Sequence, residues 1–248
     1  MSRFRRIQHK IRRYKKRLKK LITRIGISSS ELFELSEESP KVLILPCYLG
    51  ILFCGKSNST LFEKIKSYLD IIFDSFFFEI RNLGVFNFSK EILSKGTKKG
   101  YKEGKSSKNS FKIHPTNKFY QLLINMKRKE KLGMIIAITD LPIYSSSNDN
   151  IIFLFGEANL KYQCCIVSSL ELKEEFHNRP DNQNIFEKRL IKEVVHEVGH
   201  LILGPNHCLD KSCVMQFSKE IFEIDNKSAN LCNNCIGKLK LIQEEHNF

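Results

Sequence analysis

From Phe4 to Ile25 the residues Phe4, Ile7, Ile11, Tyr14, Leu18, Leu21 and Ile25 recur in steps of three and four, among positions that are almost wholly basic. That spacing predicts a helix with one apolar stripe and basic flanks. Residues 28–40 are polar and read as a linker. The run 41–46, closed by Pro46, predicts a first strand. Residues 60–78 return to helical spacing, with Leu61, Ile65, Tyr68, Leu69 and Ile72 on one face. A strand is expected around 85–88. Residues 94–112 are rich in Lys, Gly and Ser without apolar periodicity and read as a flexible surface insertion. An amphipathic helix follows over 115–131, then strands over 133–139, 151–155 and 163–168. The longest helical pattern of the C-terminal half covers 184–203 and is stopped by Gly204 and Pro205. Alternating helices and strands predict an α/β fold, a mixed sheet with helices packed on it.

The chain has 248 residues and a formal net charge of +14. Location changes what that charge means. Residues 1–30 hold twelve Lys or Arg and no acid, leaving 29 basic against 27 acidic residues elsewhere. The body is near neutral and carries no electrostatic case for nucleic acid. The basic stripe, residues 3–25, has two open readings: a surface helix that contacts an anionic membrane or nucleic acid, or an extension docked on the body. No apolar run long enough for a membrane span occurs. Eight cysteines without a secretory signal suggest a reducing compartment, so a cytoplasmic location is expected. Cys47, Cys54, Cys164 and Cys165 lie in or near apolar segments and read as buried small side chains.

The chemistry gathers near the end of the 184–203 helix, in His196-Glu197-Val198-Gly199-His200. Histidines at i and i+4 share a helix face and can reach one zinc ion. Glu197, beside them, is placed to take a proton from a water activated by the metal. Gly204 lets the backbone leave the helix sharply, and His207 is the expected third ligand. Cys208, Cys213, Cys232 and Cys235 then form two pairs at short spacings, the pattern of a closed four-thiolate zinc site. The two metals would share a stretch of chain, because Cys208 directly follows His207.

Together these motifs resemble the archaemetzincins, zinc metallopeptidases of the metzincin clan. Upstream, Ile138-Thr-Asp-Leu, Phe155-Gly-Glu-Ala and the run from Phe186 through Arg189 and Lys192 to His196 are similar to the family's core. The resemblance covers about residues 41–240. It implies a compact metzincin-like fold, with a cleft beside the histidine-bearing helix. It implies that His196, His200 and His207 hold a catalytic zinc, that Glu197 is the general base and that Met215 supports the site from a turn below it. It implies that the four cysteines hold a structural zinc, two zinc ions per chain in all. The expected activity is peptide-bond hydrolysis, aminopeptidase-like, on a peptide or protein substrate.

One feature departs from the family pattern, which has the glycine three residues and the third histidine six residues after the second. Here the intervals are four and seven, and Asn206 stands at the family's histidine position. One inserted helical residue rotates the chain beyond it by about 100°. The intact Gly-x-x-His-Cys suggests that a bulge before Gly204 absorbs it. The alternative is a catalytically inactive zinc-binding relative that serves as an interaction protein. The expected organisation is a basic helical extension and linker over 1–40, then a metalloprotease domain over 41–248. Within that domain, 94–112 is the insertion and 208–235 the structural zinc segment.

Overall fold

The structure, a computed structural model, describes residues 27–28, 43–55, 59–88, 97–101, 110–146 and 154–248. The basic stripe over 3–25 and all but the first residue of the proposed linker lie outside them. Six strands form the main sheet: β1 (Ile27–Ser28), β2 (Cys47–Cys54), β3 (Phe77–Phe86), β6 (Met134–Thr139), β8 (Gly156–Asn159) and β9 (Cys164–Ser168). Their order across the sheet is β1-β8-β9-β6-β2-β3. All neighbours run parallel except β8, which is antiparallel to β9. A smaller sheet joins β4 (Lys98–Tyr101), β5 (Ser110–Pro115) and β7 (Ile143–Tyr144).

Helices cover both faces. Alternate residues of a strand point to opposite sides, so a sheet covered twice needs continuous apolar strands rather than alternating ones. In β6, Met134, Ile136 and Ile138 face the core shared with α1 (Ser59–Ile72), α3 (Gln183–Leu203) and α5 (Asn233–His246). Ile135 and Ala137 face a second core under α2 (Asn117–Lys129). The same division puts Cys165 in the first core and Cys164 in the second, which fits their reading as small buried side chains.

Several boundaries differ from expectation. The first core strand follows Pro46 instead of ending there. Helix α1 stops at Ile72, Ser75 turns with φ 68°, and the apolar run continues into β3. Tyr68, expected on the inner face of α1, is 39% exposed. The ends of the segment read as a loop over 94–112 pair as β4 and β5. Of the strand expected over 151–155, Leu154 makes one bridge to Ile143 and the strand proper begins at Gly156.

Helix α3 positions the site. The side chain of Asn182 caps its start, accepting from the Ile185 N–H at 3.1 Å. On its buried face Arg189, 2% exposed, makes a bidentate pair with Asp225 at 2.6 and 2.7 Å. The same guanidinium reaches Glu174 at 2.5 Å and the Leu172 carbonyl at 3.0 Å. Asp225 lies on α4 (Ile221–Asn226), so this fork ties the helix to the C-terminal segment. Removing one member of a buried ion network costs about 3–5 kcal/mol. Arg189→Met is expected near the lower end, because Asp225 is partly exposed and Glu174 keeps Arg179 at 2.8 Å. A urea melt measures it, and an unchanged midpoint would refute the assignment.

Candidate metal centres

His196 and His200 stand one turn apart on α3, 5% and 1% exposed, with their Nε2 atoms 3.1 Å apart. His196 Nδ1–H donates to the Val214 carbonyl at 2.8 Å, and His200 Nδ1–H donates to the Gly204 carbonyl at 2.9 Å. A carbonyl only accepts, so both Nδ1 atoms carry the proton and both Nε2 atoms present lone pairs. Two lone pairs facing each other at this distance repel unless a cation lies between them. Two nitrogens bound to zinc at about 2.0–2.1 Å and a tetrahedral angle lie about 3.3 Å apart. The donor set fits zinc.

His207 completes the cluster. Its ring stacks over His196 (centroids 5.3 Å apart, 21° between planes) and meets His200 edge-on at 4.9 Å. The nearest ligand nitrogens of the three histidines all lie within 4.8 Å of one another. The extra residue is not taken up as a bulge. Helix α3 stays α-helical through Leu203, and the Gly204 N–H closes on the His200 carbonyl at 3.0 Å. Gly204 then turns the chain at φ 88° and ψ −172°, a region essentially closed to other residues. The short loop beyond it leaves Asn206 exposed and brings His207 inward.

Burial holds these imidazoles neutral, as ligation requires. It pushes His196 well below the usual histidine range, and His200 and His207 down to about 4. The Lys227 ammonium acts in the same direction on all three.

Glu197 is 3% exposed, and its Oε2 has no hydrogen-bond partner among the described residues. Burial raises its carboxyl well above the ordinary value, Glu193 and Glu157 add to the rise, and Lys227 opposes it. Glu157 is itself pushed up to about 6 by burial, against hydrogen bonds from Ser145, Tyr120 and Thr116. A cavity of about 20 Å³, room for one water, is lined by His196, Glu197, His200, His207, Ser218 and Lys227 among others. Gly156 brings β8 against Glu197: a Cβ there would sit 2.5 Å from Glu197 Oε1. Gly156→Ala is therefore expected to displace the carboxylate or the strand and to cost about 1–3 kcal/mol. A lowered urea midpoint at unchanged zinc content is the expected reading; an unchanged midpoint contradicts the close approach.

The four cysteines also converge. Cys208 Sγ lies 3.5 Å from Cys232 Sγ, and Cys213 Sγ lies 3.8 Å from Cys235 Sγ. These separations are far too long for disulfides and match the roughly 3.8 Å expected between thiolates on one tetrahedral zinc. Cys232 occupies the N-cap position of α5, without a side-chain capping bond, and Cys235 sits in its first turn. The Cys232 N–H also donates to Cys213 Sγ at 3.3 Å.

Between the two cysteine pairs the chain builds the floor of the histidine cluster. The Cys213 carbonyl accepts from the Gln216 N–H at 2.9 Å, which closes a turn with Val214 and Met215 at its centre. Val214 supplies the carbonyl that orients His196. Met215, 1% exposed, packs beneath α3 at Gly199, where any side chain would collide with its sulfur.

The sequence singled out the three histidines and four cysteines that converge here, together with Glu197, Met215 and Gly204. It did not name Gly156, Glu193, Ser218 or Lys227 as site residues. Gly156 lay inside the Phe155-Gly-Glu-Ala motif without a role of its own. Lys227 carried no usable signal, since a single lysine means little in a chain with 41 Lys and Arg.

Comparison with known proteins agrees with this architecture. A model of peptidase family M54 matches residues 49–241. The archaemetzincin of Methanocaldococcus jannaschii is 38% identical over 107 residues, covering 43% of this chain and 58% of that protein. The archaemetzincin of Sulfolobus acidocaldarius is 40% identical over 125 residues, covering 50% of this chain and 67% of that protein. The first three curated relatives are spanned over only 58%, 62% and 63% of their length. Among solved structures, Methanopyrus kandleri archaemetzincin superposes with a TM-score of 0.56 at 20% identity, covering 83% of this chain and 98% of that one. The malonate complex of Archaeoglobus fulgidus archaemetzincin gives 0.51 at 24% identity, covering 77% and 99%. These two similarities establish a shared fold. No helix among the described residues is long and apolar enough to cross a membrane.

Proposed function

The chain belongs to peptidase family M54, and from that premise we propose that it is a zinc metallopeptidase that hydrolyses peptide bonds with Glu197 as general base. The observation that carries the reading is the convergence of His207 on His196 and His200 beside an unpartnered carboxylate oxygen of Glu197. The inactive alternative depended on a displaced third histidine, and the geometry of His207 speaks against it.

His196, His200 and His207 would hold a zinc ion, whose chemistry is to polarise a carbonyl and lower the pKa of a water from 15.7 towards about 7. The chain's own residues do the rest. Val214 and Gly204 fix the two helix imidazoles by their Nδ1 protons. Glu197 Oε2 accepts the proton of the attacking water and returns it to the amide nitrogen as the C–N bond breaks. The cysteine site would hold a second zinc with a structural role. Cleavage beside a free amino terminus is the finer part of the proposal.

The test is to incubate the zinc-loaded protein with short peptides, each with a free or an acetylated N-terminus, and to identify products by mass spectrometry. Cleavage of free peptides, abolished by chelation and restored by zinc, is expected. Equal cleavage of acetylated peptides would remove the aminopeptidase-like preference, and no cleavage of either set would contradict the peptidase reading.

A further inference from the structure

Two donors at the cavity have no part in holding metal or accepting a proton. Ser218 is 6% exposed, lines the cavity, and its Oγ has no hydrogen-bond partner among the described residues. Leaving a buried hydroxyl unsatisfied is costly, so such a group is expected to find its partner in a bound species. The Lys227 side chain is fully buried and lines the same cavity. Its ammonium contacts Glu193 Oε1 at 3.0 Å and the Gln216 carbonyl at 3.5 Å. An ammonium has three N–H donors, so one remains for a further acceptor.

We propose that Ser218 and Lys227 form a donor wall that binds the carbonyl oxygen of the scissile amide as it becomes an oxyanion. The proposal rests on the peptidase reading and adds two residues to it. Beside the histidine nitrogens, the cavity lining offers Glu197 Oε2, an acceptor with no hydrogen-bond partner among the described residues, and the two donors. An attacking water and an amide carbonyl supply the complement, a proton for the carboxylate and a developing negative charge for the donors. As the water oxygen adds to the carbonyl carbon, the C=O π pair moves onto the carbonyl oxygen, which accepts from Ser218 Oγ–H and Lys227 Nζ–H. The water proton goes to Glu197 and then to the leaving nitrogen. The π pair re-forms the carbonyl as the C–N bond breaks. Donors placed where charge develops act mainly on kcat, because they bind the transition state better than the ground state.

Both donors belong to the segment between the cysteine pairs. Ser218 lies just beyond the Met215 turn, and Lys227 directly follows α4, which Arg189 clamps to α3. Glu193 holds the ammonium and keeps the burial of its charge compensated.

The test compares wild type with Ser218→Ala and with Lys227→Met paired with Glu193→Gln, which avoids stranding a buried charge. Zinc content, kcat and KM on a short peptide, and affinity for a phosphinic peptide that mimics the tetrahedral oxyanion are measured. Ser218→Ala is expected to keep zinc, to lose about 10²-fold in kcat with little change in KM, and to lose phosphinate affinity by a similar factor. The double variant is expected to behave in the same way. Retained kcat, or a rise in KM alone, overturns the proposal. If wild type cleaves no peptide, the peptidase reading falls, and the phosphinate decides the wall separately: equal affinity in wild type and Ser218→Ala, or no binding to wild type, overturns it.

Discussion

Glu197→Gln is expected to leave zinc bound and to lower kcat by about 10²–10⁴-fold, the range that a positioned general base contributes. The substitution preserves size and replaces the carboxylate with a neutral amide that cannot act as a base. Glu197 is not among the three residues whose nitrogens converge, so metal content is expected to stay constant. Its buried Oε2 has no hydrogen-bond partner among the described residues, and the carboxylate is held against Gly156 and flanked by Glu193 and Glu157. A neutral amide removes the charge that this surrounding disfavours, so the variant is expected to be at least as stable as wild type. Measured together, zinc content, stability and kcat separate a chemical role from a structural one. Retained hydrolysis would remove Glu197 from the mechanism.

The second large effect is expected from Cys232→Ser. A structural zinc contributes about 10–16 kcal/mol of apparent binding free energy in small zinc domains, as much as the whole stability of many folded domains. Here the cysteine site also fastens everything the histidine site needs from outside α3. His207 precedes Cys208, Val214 and Met215 follow Cys213, and Ser218 and Lys227 lie before Cys232. Losing one thiolate is therefore expected to lower the thermal midpoint by about 10 °C or more and to loosen the histidine site as well. Zinc below one per chain is the expected analysis. A variant of unchanged stability that keeps a histidine-bound zinc would show that the two sites are independent.

The parts of the fold legible in the sequence are those where one pattern maps to one element. Helix α3 has a cap, a long period and a stop, and the apolar runs of β6 and β9 are what a doubly covered sheet demands. The parts misread are those where local signals conflict. Pro46 reads as the end of the first strand, yet β2 begins at Cys47 and runs through Gly50, where a Cβ would meet Leu132 at 2.5 Å. The Phe-rich run after Ile72 continues an apolar pattern while the backbone turns at Ser75. Strand β8 carries Glu157, a residue that marks surface in most contexts and is buried here because Tyr120 donates to it at 2.7 Å. No local pattern encodes a partner from another helix.

The site divides along the same line. The histidines and cysteines announce themselves by spacing within a short window. Ser218, Lys227 and Gly156 act through contacts between segments that only the fold brings together. The displaced histidine is the clearest case. The family spacing puts Asn206 at the histidine position and the sequence reading reaches His207 by way of a bulge, whereas a regular helix end and the glycine-only turn at Gly204 bring His207 to the cluster.

The zinc content of the purified protein tests that conclusion most directly, by elemental analysis against a measured protein concentration. Two zinc ions per chain are predicted, one on the three histidines and one on the four cysteines, with His207→Ala lowering the count towards one. One zinc in the wild type, unchanged by His207→Ala, would contradict the account.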